Sequence, residues 1–268
     1  MKVYALALIV ALGGVDTPAS AATTAVQSFS DSSLLSVLAA PTNVDYTVGL
    51  NSGPSSSSAN SDTLNIPLFD ATLGTLVSAN VSIYSYSKVD GYTYVFDQTG
   101  GGDYNPGAQS TAYGRVNAAG SVSLVASSGG TAIGNTSITT QSLADQPSCT
   151  SYNRYGSTWN CTGYASGNRA RNTYNSAIDL VAAYGIDFLT DGSNGLELVL
   201  SGSAFAQTGC TFQHTPGKDY CNTIARTTSY ARYTVDYTYA VAPVPLPASA
   251  SLLVGALAGV GLLRRRRS

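Results

Sequence analysis

From Tyr233 to Val241 the chain reads YTVDYTYAV, and its positions sort by parity. Tyr233, Val235, Tyr237, Tyr239 and Val241 fall on one side, with Thr234, Asp236 and Thr238 on the other. Period-two alternation of this kind predicts a half-buried β-strand. Leu76 to Tyr84 (LVSANVSIY) alternates less cleanly but still predicts a strand, as do Gly91 to Phe96 and Ser121 to Ala126. Ile178 to Leu189 and Leu196 to Ala206 flank the turn-forming pentapeptide Asp191-Gly-Ser-Asn-Gly195, which predicts a hairpin. Leu34 to Ala39 fits either a strand or one helical turn. Ser52 to Asp62 (SGPSSSSANSD) and Thr99 to Gly107 (TGGGDYNPG) predict solvated loops. Gly, Ser, Thr, Tyr and Val are frequent, whereas Glu, Lys and Met are scarce. The expectation is all-β: a single antiparallel sandwich, jelly-roll-like or Ig-like, with no internal repeat.

Both ends of the chain break this pattern. Met1 to Ala21 has one lysine, an apolar stretch from Val3 to about Val15, and a polar break holding Pro18. Ala19-Ser20-Ala21 supplies a small-x-small cleavage site, so residues 1–21 predict a secretory signal helix removed by signal peptidase. At the other end, Ala248 to Leu263 runs without a charge. As a helix it spans roughly 24 Å of a hydrocarbon core about 30 Å thick, enough for a transient anchor. Arg264, Arg265, Arg266 and Arg267 follow at once and stay cytoplasmic, which leaves the body outside. Pro243, Pro245 and Pro247 keep the approach extended.

The motif Val244-Pro245-Leu246-Pro247-Ala248, the apolar helix and the terminal arginines together resemble the PEP-CTERM sorting signals of Gram-negative bacteria, in their VPLPA form. Leu246 stands where the better-known Pro-Glu-Pro form has glutamate. The resemblance implies recognition by an exosortase, a membrane transpeptidase, cleavage near Val244–Ala248, and transfer to the cell surface or extracellular matrix. A second stretch, Thr63 to Leu76 (TLNIPLFDATLGTL), is similar to the signature of the choice-of-anchor E family through Ile66, Pro67, Phe69, Asp70, Leu73, Gly74, Thr75 and Leu76. That family carries a β-rich surface domain beside varied C-terminal anchors, and the Tyr-rich strand from Tyr233 also fits it. By their own chemistry, Phe69 and Leu73 are expected to bury, Asp70 to accept amide bonds in a turn, and Gly74 to take a positive φ.

Composition narrows the partners. Residues 22–243 are expected to form one surface domain, long enough for one sizeable core or at most two small ones. Charged residues make up 10% of the chain, where about 25% is ordinary. The formal charge of −2 conceals an acidic body, because the tail arginines supply much of the positive count. An acidic body with scattered cations argues against nucleic acid, and against anionic membrane surfaces, as partners. Cys149, Cys161, Cys210 and Cys221 are even in number, as disulfides in an exported protein would be. Three pairings are open, and the two local ones would each staple a loop. A zinc site is not expected, since the chain has one histidine and no C-x-x-C.

Candidate chemistry is sparse. His214 has no nucleophile elbow to serve, because no G-x-S-x-G occurs. Asp187, Asp191, Ser193, Asn194 and Glu197 lack the order of a calcium loop and predict a plain turn. Gly100, Gly101 and Gly102 lack the Gly-Lys-Ser/Thr of a phosphate cradle. Tyrosine, at eighteen residues, is the one unusual abundance. Tyr152, Tyr155, Trp159 and Tyr164 near the Cys149–Cys161 loop offer a sugar platform, with Arg154 and Arg169 at its margin. The expectation is therefore a non-enzymatic, cofactor-free surface or matrix protein that passes transiently through the membrane. A carbohydrate-binding module engaging exopolysaccharide is the alternative, and a secreted glycoside hydrolase is third.

Overall fold

The structure, a computed structural model, describes residues 23–98, 109–152, 158–166, 170–212 and 220–241. Among these residues, ten strands and two short α-helices follow in order: β1 (Thr24–Ala39), β2 (Ser55–Ile66), β3 (Gly74–Gln98), β4 (Gln109–Ser128), β5 (Thr131–Asp145), β6 (Ser148–Tyr152), β7 (Thr158–Tyr164), β8 (Ala170–Asp179), α1 (Leu180–Tyr184), α2 (Ile186–Thr190), β9 (Asn194–Phe212) and β10 (Tyr220–Val241). Sheet A has the order β1-β10-β3, with β7 and β8 both pairing β3; sheet B has the order β2-β9-β4, with β5 and β6 both pairing β4. All of these pairings are antiparallel. The all-β sandwich expected from composition is what forms.

Parity carries through the long strands. In β10 every odd residue from Cys221 to Tyr239 is buried, so the alternation of Tyr233–Val241 extends through the whole strand. Val81, Ile83 and Val89 of β3 meet Leu124 of β4 and Leu198 and Leu200 of β9 in one apolar cluster between the sheets. The uneven pattern after Leu76 has a cause. Tyr239 pairs Leu76 and Thr238 pairs Ser78, which leaves Val77 as a bulge, 54% exposed. The extra residue shifts the inward set from Leu76 to Ala79, Val81 and Ile83.

The middle of the sandwich is held differently. Ser85, Ser87, Thr227 and Ser229 are buried there, opposite small residues of sheet B. Thr227 Oγ1 donates to the Ser203 carbonyl at 2.6 Å, and Ser229 Oγ donates to the Ser201 carbonyl at 3.0 Å. Hydroxyls of one sheet thus bond the backbone of the other, which satisfies buried polar groups. Gly120 makes the approach possible: a Cβ there would lie 2.6 Å from Thr227 Cγ2.

Two expectations are corrected. Ser52 to Asp62 is not a solvated loop, since Ser55–Ile66 is the β2 edge strand, registered on β9 from Ser55↔Gln207 to Ile66↔Leu196. Its serines read as loop because they face solvent, while backbone pairing with one neighbour makes the strand. Ile178 to Leu189 is not the first arm of a hairpin. The segment leaves β8 at Asp179, whose side chain caps α1 by accepting from Ala182 N at 3.1 Å. The α1–α2 turn at Gly185 has φ 84°, and Leu180 and Leu189 bury fully, so the segment carries the chain from sheet A to sheet B. Leu34 to Ala39 resolves as strand, within β1.

The stretch from Ile66 to Gly74 is the corner between β2 of sheet B and β3 of sheet A. Phe69 is buried, 5.9 Å from the Tyr237 ring and 5.3 Å from the Tyr239 ring, and Leu73 packs against the same core. Asp70 Oδ1 accepts from Thr72 N at 2.9 Å and from Thr72 Oγ1 at 2.6 Å. Gly74 takes φ 149°.

Candidate functional site

Cysteines organise one end of the molecule. Cys149 pairs with Cys161 and Cys210 with Cys221, both local in sequence, at Cα separations of 5.9 and 6.4 Å. Each bond joins the two sheets: Cys149 lies on β6 and Cys210 on β9, while Cys161 lies on β7 and Cys221 on β10. In sheet B, Ala112 is registered to both Cys149 and Cys210; in sheet A, Val95 is registered to both Cys161 and Cys221. Two facing cross-strand rows are therefore clamped on either side of the Val95 and Ala112 side chains. The β1–β2 connection covers the second bond. Val44 exchanges backbone hydrogen bonds with Cys221 at 3.0 and 2.9 Å, and Val48 does so with Cys210 at 2.8 Å each way. Cys210 and Cys221 are fully buried, whereas Cys149 and Cys161 are half-buried.

The opposite end gathers the described termini. Thr24 pairs Ala240, and Val241 N donates to the Thr23 carbonyl at 3.0 Å. The signal site at Ala19 and Ala21, the motif Val244–Ala248, the apolar run 248–263 and Arg264–Arg267 lie outside the described residues, as do His214, Gly100–Gly102, Tyr155, Arg154 and Arg169.

Aromatic side chains dominate the outer face of sheet A. Even positions of β3 present Tyr84, Tyr86, Tyr92, Tyr94 and Phe96, and β10 adds Tyr220 and Tyr230. Tyr230 stacks on Tyr86 at 5.3 Å and meets Tyr84 edge-on at 6.0 Å. Further along, Tyr220 stacks on Phe96 at 5.0 Å and Tyr164 lies 6.0 Å from Tyr92. Burial raises the Tyr94 phenol above its ordinary value, helped by Tyr220 beside it. Arg171 lies over the Tyr86 ring at 4.1 Å and its Nη2 donates to Tyr84 Oη at 2.7 Å; Arg232 lies 5.2 Å over the Tyr84 ring. A groove of about 660 Å³ passes Tyr84, Tyr230, Arg232, Asn175 and Ser82, with Asp31 at its rim.

This face is not the loop platform expected from sequence. Of that platform, Tyr164 joins the sheet A face; Tyr152 lies on β6 of sheet B and Trp159 on β7 of sheet A. The i, i+2 spacing of Tyr84-x-Tyr86 and Tyr92-x-Tyr94-x-Phe96 is the sequence signal that would have found it. Sheet B's outer face contrasts with it: a groove of about 850 Å³ there is lined, among the described residues, by Ser, Ala, Gly, Asn, Gln and Thr, with no ionisable side chain. At the α2–β9 turn, Asp191 Oδ1 accepts from Ser193 N at 2.9 Å, which lowers its pKa, and Asn194 Nδ2 donates to the Phe188 carbonyl at 3.0 Å. The Asp191 carboxylate thus serves a turn.

No family model matches the chain, and no curated protein matches it. Solved structures align only weakly. A structure of the infectious bursal disease virus Gx strain shares 12% identity over 95% of this chain and 52% of its own, at TM-score 0.21. A VP2 subviral particle of the same virus gives 12% identity over 88% and 46%, at TM-score 0.19. The carbohydrate-binding module TmCBM61, solved with β-1,4-galactotriose, gives 10% identity over 73% and 86%, at TM-score 0.15. The chain spans about half the length of those viral chains. Likeness at this level assigns neither fold nor function.

Proposed function

We propose that this chain is an exported cell-surface or extracellular-matrix protein whose body acts as a durable, non-enzymatic β-sandwich. In this reading residues 1–21 are removed by signal peptidase and 22–243 form the surface domain. Residues 244–268 hold the VPLPA-type signal read by an exosortase, with a transient stop in the inner membrane of a Gram-negative cell. The observation that carries the reading is the placement of the two clamps. Both disulfides cross between sheets at the end remote from Thr24 and Val241. Disulfides of this kind persist in oxidising compartments outside the cytoplasm. The clamped end lies up to roughly 65 Å from Val241 along β10, the length of the twenty residues after Cys221.

The strand orders β1-β10-β3-β8 and β2-β9-β4-β5 support a jelly-roll connectivity over an Ig-like one. Phe69, Asp70 and Gly74, in the stretch that resembles the choice-of-anchor E signature, build the β2–β3 corner. The test is to scramble Val244–Ala248 and fractionate native cells. Wild type outside the cell and a variant held in the inner membrane are expected; equal retention of both in the membrane would make the tail a plain anchor.

The second reading, a carbohydrate-binding module, is favoured by the aromatic outer face of sheet A. Glycoside hydrolysis ranks below it, because that chemistry uses two carboxylates and, among the described residues, the groove beside Tyr84 is lined by Asp31 as its one carboxylate.

A further inference from the structure

We propose that the outer face of sheet A binds an acidic polysaccharide, with sugar rings on Tyr84 and Tyr230 and ligand carboxylates met by Arg171 and Arg232. The proposal deepens the surface-protein reading and rests on it only for where the ligand would be encountered.

Charge placement is the first argument. Five cationic side chains lie among the described residues: Lys88, Arg115, Arg171, Arg226 and Arg232. Four of them sit on sheet A's outer face; Arg115, on sheet B, donates to Asn51 Oδ1 at 3.1 Å. Lys88 is ion-paired with Asp90 at 2.9 Å. Among the described residues Arg171, Arg226 and Arg232 have no carboxylate within ion-pair distance. Guanidinium groups without an ion-pair partner thus gather on one face of the described residues, with Asp31 in the same groove as Arg232, and they favour an anionic partner.

Register is the second. Arg232, Tyr84 and Asn175 form one cross-strand row, and Tyr230, Tyr86 and Thr173 the next. Planar rings and guanidinium forks alternate with amides and hydroxyls at the spacing of a sheet. Guanidinium pairs with carboxylate in a two-pronged geometry, and among the described residues Arg171 donates to Tyr84 through Nη2, one of its five N–H donors. The rows continue through Tyr92 and Tyr94 to Phe96, roughly 40 Å from Tyr84, a length suited to an extended polymer. Single-stranded nucleic acid also stacks on aromatic faces beside cations. Sites of that kind track the backbone with a continuous basic groove, whereas this face sets a few unpaired guanidinium groups among hydroxyls and amides, which suits the polysaccharide.

The test is affinity electrophoresis of the purified protein through gels holding sodium polygalacturonate or its fully methyl-esterified, neutral form. Retardation by the acidic polymer is expected, at least tenfold weaker with the ester. Arg171→Gln with Arg232→Gln, and separately Tyr84→Ala, should each weaken binding at least tenfold, while Arg115→Gln leaves it unchanged. Both guanidinium groups are exposed, so the double arginine variant is expected to fold even where Tyr84→Ala does not, as its melting curve will report. Absence of retardation by polygalacturonate, unchanged binding in the arginine variant, or tighter binding to an oligothymidylate would each overturn the proposal. An exported protein that fails to bind sinks only the glycan site, and one that binds but stays in the membrane sinks only the sorting.

Discussion

Tyr237 and Tyr233 carry their phenols from sheet A across to the far side of the core. Tyr237 Oη donates to the Pro67 carbonyl at 2.8 Å and Tyr233 Oη to the Asn65 carbonyl at 2.6 Å. Burial lifts both phenols above the ordinary value of 10.0, Tyr233 to about 12, with Asp31 adding to it. The folded state then keeps protons that the unfolded chain releases near pH 10, so stability from these groups is intact below that pH. It falls as pH rises from about 10 through 12. Urea midpoints measured from pH 8 to 11.5 should drop in the upper part of that range. Tyr237→Phe should cost about 1 kcal/mol at neutral pH and make the alkaline drop shallower. Gly120 is the other decisive residue. Gly120→Ala would press a methyl against stiff Thr227 and Ser229 Oγ, 2.9 Å away, and should destabilise by roughly 1–3 kcal/mol in urea titration.

At the scale of elements, the clamps behave as two different bonds. Cys210–Cys221 is buried under Val44 and Val48, whereas Cys149–Cys161 is half-buried. Mild dithiothreitol under native conditions should open Cys149–Cys161 first and leave Cys210–Cys221 until the fold loosens, as alkylation and peptide mass mapping will report. Replacing Cys149 and Cys161 by serine should cost about 3 kcal/mol on the chain-entropy account. Legibility also differed by element. The β10 strand was readable from Tyr233 onward because polar and apolar residues alternate without a break; its first half hid because Thr227 and Ser229 bury hydroxyls that pattern reading assigns to solvent. The β2 strand hid because Ser55 to Asn60 contribute backbone pairing and almost no apolar surface. Asp179 offered a helix cap, but α1 and α2 are five residues each, too short for periodicity to declare them.

For the whole molecule, the local cysteine pairing was legible from spacing, but its meaning was not. Loop staples become sheet clamps only once β6 and β7 are known to lie in opposite sheets. The aromatic face was half legible, since Tyr84 and Tyr86 share a strand, while Tyr230 joins them through pairing across some 140 residues of sequence. In the proposed function the sandwich is the durable part of a precursor whose two ends serve export and sorting. The most direct measurement is the intact mass of the protein recovered from outside its native cells, before and after reduction with alkylation. The expected product is a chain without residues 1–21, truncated within or near Val244–Ala248, and carrying two disulfides. A chain that retains the segment from Ala248 to Arg267, recovered only with the inner membrane, would contradict it.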